Sequence, residues 1–133
     1  MAERFKEILE NARTIAVVGL SDQSDRISYI VSRYMQDRGY KIIPVNPTIS
    51  ESLGEKAYPS LLDVPDNVDI VNVFRRPKDV PAVTDEAIAI KARVLWMQEG
   101  IVNEEAAKKA ESAGLIVIMD RCIMVEHARL PLG

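Results

Sequence analysis

Short, nearly continuous apolar runs alternate along this chain with longer stretches in which apolar residues recur at helical spacing. Five of the runs are rich in valine and isoleucine and show no polar alternation. Such runs are typical of strands that are covered on both faces of a sheet. They predict strands at residues 14–19, 41–45, 69–74, 93–97 and 115–119.

The stretches between these runs predict four helices, because their apolar residues fall on one helical face. The first passes through Phe5, Ile8, Leu9 and Ala12, and the third and fourth cover residues 80–92 and 104–113. The second carries Ile27, Ile30, Val31, Tyr34 and Met35 and is predicted to end at Gly39. Ser24 or Asp25 is a candidate cap for its start, and Asn103 for the start of the fourth helix.

Strands that alternate with helices indicate an α/β fold with a parallel sheet. We predict a Rossmann-like, doubly wound sheet of five strands with helices on both faces. The simplest strand order, counted along the chain, is 3-2-1-4-5. Residues 47–66 are predicted to form a long connection, and residues 121–133 a short tail against the sheet edge.

Composition narrows the possible functions. The 133 residues predict a single domain, 1–133, with 47% hydrophobic and 28% charged residues, a balance typical of soluble proteins. A net charge of −3 argues against nucleic-acid binding. One cysteine and one histidine predict neither an internal disulfide nor a structural zinc site. No run of about 18 apolar residues occurs, so we predict no membrane partner and a cytoplasmic location.

The turn after the first predicted strand is a candidate phosphate site. Gly19 permits a tight turn, Ser21 supplies a hydroxyl, and Arg26 lies close to the start of the second helix. A helix N-terminus offers free N–H groups that suit phosphate. The turn lacks the other glycines of a dinucleotide motif and the lysine of a P-loop. Gly19 could therefore equally be a simple strand-ending glycine.

The end of the second predicted strand argues against NAD. Nicotinamide-binding folds place an acidic residue there, whereas this chain has Asn46 and Pro47. Asn46 could otherwise simply start a turn. Further groups lie toward the ends of the next strands on the same edge. Arg75 and Arg76 follow the third strand and otherwise form a solvated pair. Trp96 lies near the end of the fourth strand and is otherwise a core aromatic. Together these groups suit a phosphorylated nucleotide.

With these motifs in place, the chain resembles the small stand-alone CoA-binding proteins of bacteria and archaea. These proteins are similar to the N-terminal CoA-binding domain of the succinyl-CoA synthetase α subunit. The resemblance covers almost the whole chain. It is carried by VVGLS (17–21), GY (39–40), IPVNP (43–47), Gly54, YPSL (58–61), VNVFR (71–75), WMQEG (96–100), RC (121–122) and EH (126–127).

The resemblance implies that CoA lies across the carboxyl edge of the sheet. Carried over by position, it implies that the pyrophosphate contacts Gly19, Leu20 and Ser21, with Arg26 and Ser28 near a phosphate. It implies further contacts at Val45, Asn46, Pro47, Phe74 and Arg75, and pantetheine contacts at Gln98, Glu99 and Gly100. The synthetase loop is richer in glycine, and Asp22 and Asp25 repel phosphates here, which predicts weak affinity.

Three functions are compatible with this sequence. The leading hypothesis is a module that binds CoA or an acyl-CoA and has no catalytic activity by itself. The alternatives are an enzyme acting on a nucleotide or CoA thioester, and a regulatory or assembly subunit that uses the fold structurally. We interpret His127 as structural, because no motif for acid–base catalysis surrounds it. No residue is assigned a catalytic or metal-binding role.

Overall fold

The computed structural model describes residues 2–131 and confirms the α/β class with a five-stranded parallel sheet. Its strands are β1 (Thr14–Val18), β2 (Lys41–Val45), β5 (Ile70–Val73), β6 (Val94–Met97) and β7 (Ile116–Ile118). A small antiparallel hairpin is formed by β3 (Glu51–Ser52) and β4 (Glu55–Lys56). The helices are α1 (Ala2–Asn11), α2 (Ile27–Asp37), α3 (Val80–Ala89), α4 (Glu104–Ser112) and α5 (Ile123–Ala128). Short 3-10 turns lie at Leu61–Asp63 and Pro77–Asp79.

The predicted strand order is wrong. The sheet runs β2-β1-β5-β6-β7, which is 2-1-3-4-5 in chain order, so β2 is an edge strand. Pro44 explains this arrangement because proline has no N–H for a second ladder. Its carbonyl faces the open edge and accepts the N–H of Tyr58 at 3.0 Å. The long connection thus covers β2, and β5 pairs with the other side of β1.

Alternate residues of the strands are buried on opposite faces of the sheet. Ile15 and Val17 contribute to the core under α1, α2 and α5, whereas Ala16 and Val18 contribute to the core under α3 and α4. Trp96 is fully buried on the first of these faces, and its ring centroid lies 5.6 Å from that of Phe5. Its interpretation as a core aromatic is therefore confirmed.

The segment after β7 is not a tail on the sheet edge. Residues 123–128 form α5, which packs against α1 and α2 and buries Ile123 almost completely. Two hydrogen bonds to the sheet fix its start: Trp96 Nε1 donates to the carbonyl of Arg121 at 2.9 Å, and the N–H of Ile123 donates to Gln98 at 3.4 Å. Within residues 2–131, no helix is both long enough and apolar enough to cross a bilayer.

Candidate functional site

A cleft opens where the strand order of the main sheet reverses. The chain leaves β1 toward β2 on one side, while β5, β6 and β7 follow on the other, so the carboxyl ends of β1 and β5 flank this point. Ligands of open α/β sheets bind in such crevices. The cleft measures about 640 Å³ and is lined by Gly19, Ser21, Gln23, Asp25, Arg26, Ile27, Ser28 and Phe74.

Gly19 follows β1 and lies against Phe74, the residue after β5. Its φ is +94°, and a Cβ atom there would lie 2.2 Å from the carbonyl oxygen of Phe74. Its N–H donates to Val45 at 2.8 Å, which ties the turn to β2 as well. Any side chain at this position would push the two walls of the cleft apart. Gly19 is therefore more than a strand-ending glycine.

Helix α2 begins in the cleft without a side-chain cap. Arg26 is the N-cap residue, and its carbonyl accepts the N–H of Ile30 at 3.0 Å. The capping role considered for Ser24 or Asp25 is therefore wrong. Among residues 2–131, no partner accepts the N–H groups of Ile27, Ser28 or Tyr29. Because the first turn also has no acidic residue, these groups form a positive end that suits an anion.

The side chains around this helix end carry both signs of charge. Arg26 contributes the cation of the lining and Asp25 contributes a carboxylate, and both are exposed. Solvent access weakens the effect of either charge on a bound anion. The described part of the chain contains no cluster of three His, Cys, Asp or Glu residues able to hold a metal ion.

Several predicted site residues support the turn from within the protein. Ser28 Oγ accepts the N–H of Ser21 at 3.0 Å. Asn46 Nδ2 donates to the carbonyl of Leu20 at 3.0 Å, and its Oδ1 accepts the N–H of Thr48 at 3.0 Å. Asn46 thus starts a turn, which confirms the alternative that the sequence offered for this residue. The side chains of Leu20 and Val45 are buried in the core.

The remaining predicted residues lie outside the lining of the cleft. Pro47 and Glu99 are exposed, Arg75 is half-buried, and Gly100 donates to Asp120 at 2.7 Å. Gln98 is buried and accepts the side-chain N–H of Asn72 at 3.2 Å. Ligand contacts at these positions stay predictions.

Two lining residues, Gln23 and Ile27, were missed, although their place around the start of α2 is a usable sequence signal. Asp25, which was expected to repel phosphates, also lines the cleft. Ser52 was missed as well. Its Oγ donates to the carbonyl of Ser21 at 2.7 Å. No sequence signal near Ser52 points to this contact, because 31 residues separate the two partners.

His127 joins α5 to α2 outside the cleft. Its Nδ1 lies 3.1 Å from the hydroxyl of Tyr34, and its ring meets those of Tyr34 and Tyr40 edge-on. His127 therefore bonds its segment to a helix and not to the sheet edge, against which residues 121–133 were expected to lie. Burial, together with the positive charge of Arg38, holds the pKa of His127 below its usual 6.5.

This lowered pKa predicts that stability falls as the pH drops below about 6.5. The unfolded chain then takes up a proton at His127 that the folded protein resists, so protons favour unfolding. We expect the free energy of unfolding to fall more between pH 7.5 and 5.5 in the wild type than in His127→Gln. Urea titrations at both pH values measure the difference, and identical pH dependence in the two proteins would contradict this assignment.

Comparison with known proteins identifies relatives of similar length. A model of the CoA-binding domain family matches residues 13–128. The protein YneT of Bacillus subtilis (strain 168) is 55% identical, and the match covers 93% of this chain and 92% of YneT. The solved structure of a hypothetical protein from Pyrococcus horikoshii OT3 is 44% identical, with a TM-score of 0.95. That match covers 98% of this chain and 92% of the other.

Larger relatives contain a similar segment. The ADP-forming acetate–CoA ligase II subunit alpha of Pyrococcus furiosus is 38% identical, and the match covers 90% of this chain. The same match covers only 29% of the ligase subunit. The resemblance therefore extends to one part of that subunit.

Proposed function

This chain belongs to the CoA-binding domain family, and on that premise we propose that it binds CoA or an acyl-CoA in the cleft between β1 and β5. The diphosphate contacts the β1 turn, defined here as residues 19–21, and the N-terminus of α2. One observation carries the proposal: in the described part of the chain, α2 starts in the cleft with free N–H groups, no side-chain cap and no acid in its first turn. A diphosphate satisfies these donors and balances the positive end of the helix.

The surrounding residues suit the rest of such a ligand. Phe74 offers an apolar wall beside the turn, and Arg26 offers a cation to a phosphate. The exposed Glu99 and Gly100 are better candidates for pantetheine contacts than Gln98, whose side chain is buried against Asn72. The cleft volume of about 640 Å³ falls within the range of small-molecule sites.

We assign the chain a binding role without catalysis. His127 is hydrogen-bonded to Tyr34 and is not among the residues that line the cleft. The ligase subunit that resembles this chain is more than three times its matched length, so its printed activity belongs to the larger protein. Thioester formation from ATP, CoA and acetate in proportion to protein concentration would overturn this assignment.

Parallel calorimetric titrations with CoA, acetyl-CoA, NAD and ATP test the binding function. We expect saturable binding of CoA or acetyl-CoA and weaker or absent binding of NAD, because Asn46 replaces the acid that holds the adenosine ribose of NAD. NAD binding tighter than that of CoA and acetyl-CoA would refute the proposal.

Arg26→Ala is expected to weaken CoA binding by about tenfold, the cost of one charge-assisted contact at an exposed position. Arg33→Ala is the matched control, since Arg33 is an exposed arginine of the same helix that does not line the cleft. Calorimetric measurement of CoA affinity in both variants separates the loss of a phosphate contact at Arg26 from the change in net charge that both substitutions cause. Equal effects of the two substitutions would leave Arg26 without a recognition role.

A further inference from the structure

The β1 turn is fixed by hydrogen bonds with three side chains, one on α2, one in the loop after β2 and one on β3. Besides Ser28 of α2, which accepts the N–H of Ser21, two donors hold its carbonyl groups. Asn46 holds the carbonyl of Leu20, and Ser52 of β3 holds that of Ser21. All three residues are 9% exposed or less, so water competes little for these bonds.

The two donors determine which end of each peptide group faces the cleft. Neither Asn46 nor Ser52 lines the cleft, so the carbonyl oxygens that they hold are directed toward the interior. A carbonyl oxygen turned toward a diphosphate would repel it, whereas N–H groups attract it. The N–H of the Leu20–Ser21 peptide group is already bonded to Ser28, so rotating either of the two held peptide groups would add the repulsion of a carbonyl oxygen to the cleft.

Building on the proposed function, we infer that Asn46 and Ser52 are positioning residues that orient the β1 turn for a diphosphate-bearing ligand. They act through the turn and touch no ligand themselves. Because the β1 turn has this geometry before the ligand binds, no binding free energy is lost in ordering the turn.

The β3–β4 hairpin gives Ser52 a rigid support. Its reversal uses Leu53 and Gly54, both with positive φ (56° and 76°), and Gln36 Nε2 of α2 donates to the carbonyl of Leu53 at 3.0 Å. The hairpin is thus bonded to both the helix and the turn that form the cleft. This arrangement assigns a role to the long connection between β2 and β5, which otherwise only covers the sheet edge.

Ser52→Ala tests the inference directly. We expect CoA affinity to fall about three- to tenfold, the effect of one lost neutral hydrogen bond. The ³¹P resonances of the bound diphosphate should shift relative to the wild-type complex, while that of the 3′-phosphate should not. Ser60→Ala is the matched control. Its hydroxyl, on the same connection, bonds Glu86 at 3.0 Å, so affinity should stay within twofold.

Asn46→Asp provides a second variant of nearly unchanged volume. The acceptor for the N–H of Thr48 remains, but an oxygen replaces the amide group that donates to the carbonyl of Leu20. We therefore expect a loss of CoA affinity at least as large as that of Ser52→Ala. If Ser52→Ala fails to fold, the CoA affinity of Asn46→Asp tests the inference in its place. Affinity within twofold of the wild type in a folded variant, or an equal loss in Ser60→Ala, would overturn the inference. A wild type that does not bind CoA would instead refute the proposed function.

Discussion

Gly19→Ala is expected to reduce CoA affinity at least a hundredfold and to lower the free energy of unfolding by about 3 kcal/mol. A positive φ costs a side-chain-bearing residue about 1–2 kcal/mol, and overpacking adds about 1–3 kcal/mol. The overpacking arises because the new methyl group would lie 2.2 Å from the carbonyl oxygen of Phe74. Relieving the clash moves the β1 turn away from β5, and these are two walls of the cleft. Calorimetry and urea denaturation measure the two effects.

Gly114→Ala is a closely matched control for this substitution. Gly114 has the same φ of +94°, but a Cβ atom there has no neighbour within 4 Å. We expect it to lower the free energy of unfolding by about 1–2 kcal/mol and to leave binding unchanged. The difference between the two variants isolates the contact with Phe74. If Gly19→Ala folds and binds like Gly114→Ala, the cleft is not the ligand site.

Ile27→Glu is expected to change stability and binding in opposite directions. Ile27 is the first residue of α2 and is 66% exposed, so its replacement disturbs little packing. A carboxylate in the first turn stabilises a helix by about 0.3–1 kcal/mol. The same charge occupies the anion site and repels a diphosphate, which should weaken CoA binding at least tenfold.

Ile27→Gln separates charge from shape in this experiment. Glutamine has the same length as glutamate and no charge, so its CoA affinity should stay within about threefold of the wild type. Raising the salt concentration should reduce the difference in CoA affinity between Ile27→Glu and Ile27→Gln, because salt screens the repulsion of exposed charges. A stabilised Ile27→Glu protein that binds CoA as tightly as Ile27→Gln would exclude the start of α2 as the phosphate site.

Local patterns in the sequence were sufficient to locate most of the fold. All five predicted strands of the main sheet match the structure to within one residue at each end. Gly39 follows α2 with a φ of +97°, as expected of a glycine that ends a helix, and Asn103 caps α4 through the N–H of Ala106. These features depend on neighbours within a few residues, so the sequence contains the information needed to predict them.

Contacts between distant segments were harder to predict. The strand order depends on which edges of β1 and β2 remain open. Pro44 alone indicated that β2 lies at an edge of the sheet, because proline lacks the N–H that a second neighbouring strand would need. The burial of Gln98 against Asn72 depends on the pairing of β5 with β6. The same holds for α5, whose packing surface exists only once α1 and α2 have assembled.

The sequence by itself determined the α/β class, the positions of the main strands and the candidate phosphate turn at Gly19. Periodicity and turn residues encode these features locally. Only the tertiary structure decided that Gly19 closes against Phe74, that α2 starts uncapped in the cleft, and that Ser52 bonds the turn. The contact of Gly19 with Phe74 depends on the pairing of β1 with β5. The other two features depend on where α2 and the β3–β4 hairpin pack, and no local pattern records such long-range packing.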